Sequence, residues 1–336
     1  MEEISRFEID MLDVGAADAF LIHAFRTCRG KECEYVVLVD AGNEGDGKRI
    51  MQHINTYYKQ HYIDLAICTH CDRDHYGGFK DILDANYRID RFWIHDPYQH
   101  VDVDDVKYVQ NRQTLRKRLD DAYAFYDGAN LLELLRSKGI EQEEVFTGDT
   151  YPPLNIQVLG PDRGYYESLI PDFRVNLDFK KEQEDDDYES RDYSAQDKNA
   201  LYSRALEDAN DDPSKINQSS IVFCFKVSGN TYLFTGDAGK EALHRVVDND
   251  DGHLMNLRWL KVPHHGSKHN MDNAIISYLE PDTSYISTEK YGKYVNRCTV
   301  NALKAVGNVY STHYHGTMCH SWKMCPRQGY SNATSL

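Results

Sequence analysis

The sequence predicts an α/β protein in which helices cover the outer faces of two β-sheets packed against each other, a four-layer αββα sandwich. Three observations carry that expectation. A rhythm occurs twice along the chain: strands with short connections come first, then strand and helix alternate. An Asp/Glu-rich segment at about 161–216, nearly devoid of aliphatic runs, separates the two passes and reads as an acidic insertion. Polar His/Asp motifs sit at the ends of apolar strands in both passes. With 336 residues, 41% of them apolar, residues 1–336 can form one domain around a sizeable core.

The elements follow in order. In "RFEIDMLDVG", Phe7, Ile9 and Met11 alternate ahead of Gly15; "DAFLIHAF" and the β-branched run "EYVVLVDAG" complete an antiparallel meander. Ile50, Ile54 and Tyr57/Tyr58 recur at helical spacing in the next stretch. "IDLAICTH" is a buried strand, "GGFKDILDAN" a helix starting just past two glycines, and "IDRFWIHDP" a strand closed by Pro97. Residues 101–147 read mainly as helix, most clearly "NLLELLRSKGI", which stops at Gly139. "NIQVLGP" returns to strand, and the acidic segment holds one short helix at "AQDKNALYSRALEDA". Then "SSIVFCFKVSGNTYLFTGDA" is a hairpin turning at Gly229-Asn230. Helix "GKEALHRVV", strand "LRWLKVPHH", helix "NAIISYLE", strand "TSYIST", helix "VNALKAV" and strand "VYST" finish the second pass.

Charge and cysteine content narrow the function classes. The formal charge of −16 would repel nucleic acid if it were evenly spread, but residues 178–212 hold 13 Asp/Glu against 5 Lys/Arg, which is half the total. A site elsewhere therefore feels a much weaker negative field. No stretch approaches the roughly 18–20 apolar residues of a membrane span, and "MEEISRFEID" is acidic where a signal peptide is basic, so no membrane partner and a cytoplasmic location are expected. In that setting the eight cysteines are expected as reduced thiols, with Cys68 and Cys71 buried rather than ligating a separate zinc.

The chemistry concentrates in "THCDRDHYGG", where His70, Asp72, Asp74 and His75 follow a buried strand. Alternate side chains of such a turn can point into one pocket, and imidazole with carboxylate is the donor mixture of a hydrolytic divalent-metal site. Burying two carboxylates so close together without a cation is costly. Two further strand ends add donors: "LFTGDAG" offers Asp237 beside Gly236, where backbone can approach closely, and "LKVPHHGSKHN" offers His264 and His265.

In this order, "FEIDMLDVGAADAFLI", "VVLVDAG", "THCDRDHYGG", "NQSSIVFCF", "YLFTGDAG", "LKVPHHGSKH", "SYISTEK" and "VYSTHYHGT" resemble the metallo-β-lactamase fold superfamily. Within it they are most similar to the soluble hydrolase domain of the DNA-uptake protein ComEC and its stand-alone relatives. The likeness covers roughly 1–97 and 216–320 and implies a metal site at one edge, between the two sheets. It implies His70, Asp74 and His75 as ligands, Asp237 as the bridging or shared one, and one of His264 and His265 as the last. Asp72 stands where the commonest pattern has a second histidine, which makes the site richer in oxygen. The histidine that many two-zinc members carry before the aspartate has no counterpart in a motif here; His95 and His100 are the only ones in that interval. One or two divalent ions, Zn²⁺ or Mn²⁺ with Mg²⁺ as a further choice, fit that donor set.

The expected function is metal-dependent hydrolysis through an activated water, with a phosphodiester of nucleic acid or of a small or cyclic nucleotide as the leading substrate. Asp72 or Asp74 is available to orient the water. The non-ligating member of the His264/His265 pair, or Lys268, is available to stabilise charge on phosphate or leaving oxygen. Asn217, Ser219 and Ser220 match a polar motif of the ComEC-like group, and the resemblance makes them candidates to contact a phosphate; their alternative role is a turn cap. Lys107, Arg112, Arg116, Lys117 and Arg118 form either a solvated basic face or a phosphate-tracking surface. Near the C-terminus, His313, His315, Cys319, His320 and Cys325 are candidates for lining the substrate pocket or a second metal site. Ester, lactone or amide hydrolysis is the alternative activity, an inactive binding module the non-enzymatic alternative, and the acidic insertion a lid, a dock for a protein partner or a disordered loop.

Overall fold

The structure is a computed structural model that describes residues 3–102, 112–173, 195–289, 295–325 and 327. Among the described residues, fourteen strands form two seven-stranded sheets. The first contains β1 (Ile4–Met11), β2 (Phe20–Cys28), β3 (Lys31–Val39), β4 (Ile63–Ile67), β5 (Ile89–Trp93) and β6 (Glu141–Glu143). The second contains β7 (Thr150–Tyr151), β8 (Ile156–Gly160), β9 (Val222–Val227), β10 (Asn230–Phe234), β11 (Trp259–Lys261), β12 (Thr283–Ile286) and β13 (Asn308–Ser311). The last strand, β14 (Met318–Trp322), returns to the first sheet and pairs antiparallel with β1. Each sheet is antiparallel on one side and switches to parallel pairing at β3–β4 and at β10–β11. The switch is where hairpin turns give way to helical crossovers, as parallel neighbours require.

Alternation along the strands decides what faces what. Phe7, Ile9 and Met11 of β1 point into the space between the sheets with Phe223, Phe225, Tyr232 and Trp259 of the second sheet. The Phe7 ring lies 5.0 Å from Phe225 and 4.9 Å from Tyr232, both edge-on. Each such aromatic contributes about 1.5–3 kcal/mol by burial. Residues on the opposite faces of the two sheets, such as Leu21, Leu38, Ala66, Leu233 and Leu260, pack under the outer helices. Helix Gly47–Tyr57 contributes Ile50 and Ile54 to that layer, and the following Tyr58 is buried whereas Tyr57 faces solvent. Two sheets inside and helices on both outer faces make the expected αββα order.

Several local readings shift. The hairpin between β9 and β10 turns at Ser228-Gly229, both at positive φ, one residue before the expected Gly229-Asn230. Residues 112–147 hold helices Arg112–Asp121 and Leu131–Ser137, and the polar run Glu141–Glu143 becomes an edge strand because β5 leaves it an open parallel partner. In the 161–216 segment the expected helix is Ala195–Glu207. Helix Arg163–Leu169 also buries Tyr165, Tyr166 and Leu169, so two aromatic residues and one aliphatic residue tie this end to the core. None of the eight cysteines is joined in a disulfide, and Cys68 and Cys71 lie in the helix-side core.

Asp64 on β4 gives the fold a pH dependence. Burial pushes its carboxyl up to about 6, although Val36 N–H and Gln60 Nε2 donate to it. Below pH 4 it is neutral in both states and costs nothing; above pH 6 it is ionised in both, and the folded state bears the desolvation. Asp64→Asn is therefore expected to gain about 1–2 kcal/mol over the wild type between pH 4 and pH 7, discounted for partial exposure. Urea melts at the two pH values measure the difference, and a pH-independent difference would refute it.

Candidate metal centre

The site lies where strands of both sheets end. Asp40 follows β3, His70 follows β4, Asp237 follows β10 and His265 follows β11. Gly236 is required there: at φ +52, a Cβ on it would stand 2.8 Å from Ser220 Cβ and 3.0 Å from Thr69 Cβ. Both His264 and His265 adopt positive φ, 44° and 53°, a conformation that costs non-glycine residues of order 1–3 kcal/mol each and marks functional sites.

Three imidazoles are oriented by what their Nδ1 atoms touch. His75 Nδ1 is 2.8 Å from Asp40 Oδ2, His265 Nδ1 is 2.9 Å from the Ser287 carbonyl, and His70 Nδ1 is 3.0 Å from Thr69 Oγ1 and 3.3 Å from Ser220 Oγ. An acceptor at Nδ1 places the proton there and leaves Nε2 with a lone pair, the arrangement metal-binding histidines use. His75 Nε2 then stands 3.2 Å from Asp237 Oδ2, and His265 Nε2 3.4 Å from Asp74 Oδ2. His70 Nε2 is buried without a hydrogen-bond partner, 3.9 Å from Asp72 Oδ2. His70, His75 and Asp237 make one group with the spacing to hold an ion, and Asp74, His75 and His265 make a second that shares His75. An orphaned buried imidazole nitrogen amid converging carboxylates fits a divalent cation.

The charges around this cluster favour ionised carboxylates. Burial alone would raise the Asp74 carboxyl, but His75 and His265 hold it down at about 2. The same contest at Asp237 is won by His75 and Lys261, which keep it well below the usual range. Behind it, Lys261 Nζ is 3.1 Å from Asp237 Oδ1, 2.6 Å from the Gly236 carbonyl, and pairs with Asp18.

The sequence-derived candidates divide. His70, Asp72, Asp74, His75, Asp237 and His265 are brought together. His264 is drawn aside: its Nδ1 is 2.9 Å from Asp212 Oδ2 and 3.2 Å from Asn270 Oδ1, while its backbone N–H donates to Asp237 Oδ1. Asn217 Nδ2 donates to the same Asp212 oxygen at 2.8 Å. Ser219 Oγ donates to the Ile216 carbonyl, a turn cap, and the serine at the site is Ser220, whose Oγ accepts from Asp237 N–H. Lys268 is half-buried on the loop after the histidine pair. His95 is bonded to the Val145 carbonyl and His100 to Glu144, so neither joins the cluster.

Of the basic stretch, Arg116 and Lys117 are exposed, whereas Lys107 and the Arg112 side chain lie outside the described residues. His320 packs against the Tyr232 and Tyr285 rings on β14, and among the described residues no group with metal-holding geometry includes His313, His315 or His320. Cys319 groups with Glu8 and Asp10 on the outer face of the first sheet, where Arg327 pairs with both carboxylates.

Four charged participants escaped sequence reading, Asp18, Asp40, Asp212 and Lys261, as did the polar Thr69, Asn270 and Ser287. Asp40 in "VVLVDAG" and Lys261 in "LKVPHH" had a signal, a charged residue at the end of or inside an apolar strand. Asp212 had none amid an acidic segment.

The architecture is an α/β sandwich consistent with the metallo-β-lactamase type. Two seven-stranded sheets face each other, helices cover both, and the His/Asp cluster sits at the strand ends. The chain is similar to ComE operon protein 3 of Bacillus subtilis (strain 168), with 23% identity over 307 residues. That match covers 86% of this chain and 29% of the relative, so the chain spans less than a third of that protein's length. A solved structure, the CmlA beta-hydroxylase E377D mutant, is similar with a TM-score of 0.45 and 13% identity over 94% of this chain and 54% of that one. No family model matches the sequence. Proteins of the metallo-β-lactamase fold are generally metal-dependent hydrolases. No helix among the described residues is long and apolar enough to cross a membrane.

Proposed function

We propose that the chain is a metal-dependent phosphodiester hydrolase acting on nucleic acid or a small nucleotide. The observation that carries the reading is the convergence of three Nδ1-anchored imidazoles with Asp72, Asp74 and Asp237. His70, Asp74, His75, Asp237 and His265 are the proposed ligands, with Asp72 facing His70. The oxygen-rich set suits Mn²⁺ as well as Zn²⁺. A divalent ion held there supplies Lewis acidity, lowering the pKa of water toward neutrality and drawing charge from a phosphoryl oxygen.

The chain's own residues do the rest. Asp40, Thr69, Ser220 and Ser287 keep the imidazole lone pairs aimed inward. Asp74, a third exposed and ionised, is the carboxylate placed to orient a water at the mouth. Asp212 and Asn270 fix the His264 ring beside Asp237, where it can donate to a phosphate or leaving oxygen. The resemblance to the ComEC-like group, in which ComE operon protein 3 is the relative found, favours a phosphodiester over the ester, lactone or amide alternative.

The purified protein is expected to hydrolyse an activated phosphodiester when Mn²⁺ or Zn²⁺ is added and to lose that turnover in EDTA. Absence of turnover with both metals, alongside cleavage of an activated carboxylic ester, would transfer the assignment to ester chemistry. With DNA as substrate, affinity that falls steeply between 50 and 200 mM salt, values on the order of those used to read phosphate contacts, identifies a polymer substrate.

A further inference from the structure

Lys261 is an ammonium inside a core strand. It is 1% exposed, and its β11 neighbours Trp259 and Leu260 face the inter-sheet and helix-side cores. An apolar residue is the default at such a position, because burying a lone ammonium is strongly unfavourable. Its partners explain the exception. The Nζ is held by Asp18, by Asp237 Oδ1 and by the Gly236 carbonyl, and Asp18, Asp40 and Asp237 are all within 2% of full burial. Asp18 also lies 3.8 Å from His75 Nδ1 and 3.7 Å from His265 Nδ1.

We infer that Lys261 is a resident counter-ion of the metal centre, a positioning residue whose fixed charge holds Asp18 and Asp237 in the cradle before a metal arrives and limits how tightly the metal is then held. The inference rests on the reading of this cluster as a metal site. Without a metal, the cluster concentrates buried negative charge, and Lys261 is a cation within it that is retained when the ligating imidazoles turn their Nε2 lone pairs to a metal. With a metal, the same charge repels the ion across Asp237. Lys261 and the His264 N–H both occupy Asp237 Oδ1, which turns Oδ2 toward His75. When the lysine is removed, the His264 N–H retains that orientation, so the loss of charge outweighs the loss of geometry.

Stability and affinity are then linked through one cycle. Lys261→Met, which keeps the length and loses the charge, is expected to lower the melting temperature in EDTA by about 5–10 °C. With saturating Mn²⁺ or Zn²⁺ it loses much less, because the ion replaces the missing charge. The metal Kd correspondingly tightens at least about tenfold, or about 1.4 kcal/mol. Calorimetric metal titration and melts of the full chain read both sides of the cycle. Equal losses with and without metal, or an unchanged Kd, would overturn the inference while leaving the metal reading in place. A wild type with no metal-induced shift in melting would overturn the metal reading and this inference with it. Should Lys261→Met fail to fold without metal, the double variant Asp18→Asn with Lys261→Met removes one charge of each sign. It is expected to recover most of the lost apo stability, and failure to recover it counts against the counter-ion role.

Discussion

Asp237→Asn is expected to abolish metal-dependent turnover, by about 10³-fold or more, while the fold survives. The geometry gives the reason. Asp237 Oδ1 is already committed to Lys261 Nζ and His264 N–H, both at 3.1 Å, and both are donors. An asparagine must therefore turn its carbonyl oxygen to them, which leaves its NH₂ group where Oδ2 faces His75 Nε2. An amide NH₂ cannot ligate a cation. The side-chain volume is conserved, and one buried carboxylate fewer relieves the cradle, so the melting temperature in EDTA should hold or rise. Turnover and metal content per chain are the measurements. Retention of activity within tenfold would remove Asp237 from the centre.

The second large effect is expected at Asp40, which sequence motifs did not single out. Its Oδ1 accepts from Thr69 N–H, and its Oδ2 lies 2.8 Å from both Thr69 Oγ1 and His75 Nδ1. In Asp40→Asn the carbonyl oxygen must stay on Thr69 N–H, so the NH₂ group faces His75 Nδ1. That nitrogen can then only accept, and the ring proton moves to Nε2, the atom aimed at Asp237. A histidine in that tautomer offers the metal no lone pair. Metal affinity should fall about 10–100-fold, with activity following it, as for other residues that orient ligating histidines. A metal titration showing affinity within twofold of wild type would mean that Asp40 does not set the His75 tautomer.

These two predictions show why the site was only partly legible in the sequence. The ligand candidates announce themselves because each polar group interrupts an apolar strand end, and His70 to His75 are neighbours in sequence. The groups that aim them come from other elements: Asp40 after β3 meets His75 after β4, and Asp212 meets His264 52 residues further on. Choosing between His264 and His265 depends on backbone conformation, since two consecutive left-handed residues send adjacent rings in different directions. Likewise Ser219 and Ser220 are chemically identical, and only the helical turn Lys215–Gln218 before them turns the first into a cap and the second toward His70.

By itself the sequence determined the αββα order and marked the residues from which a donor set could be drawn, because strand periodicity and strand-end polarity are local properties of the chain. It also located the acidic segment and the helix Ala195–Glu207 within it. The edge strands β6 and β14 were decided by tertiary structure, since a short polar segment becomes a strand only when a neighbouring edge offers it hydrogen bonds. So was the charge balance of the centre. Asp18, Asp40, Asp237 and Lys261 are distant in sequence, and their electrostatics exist only once folding removes the water between them.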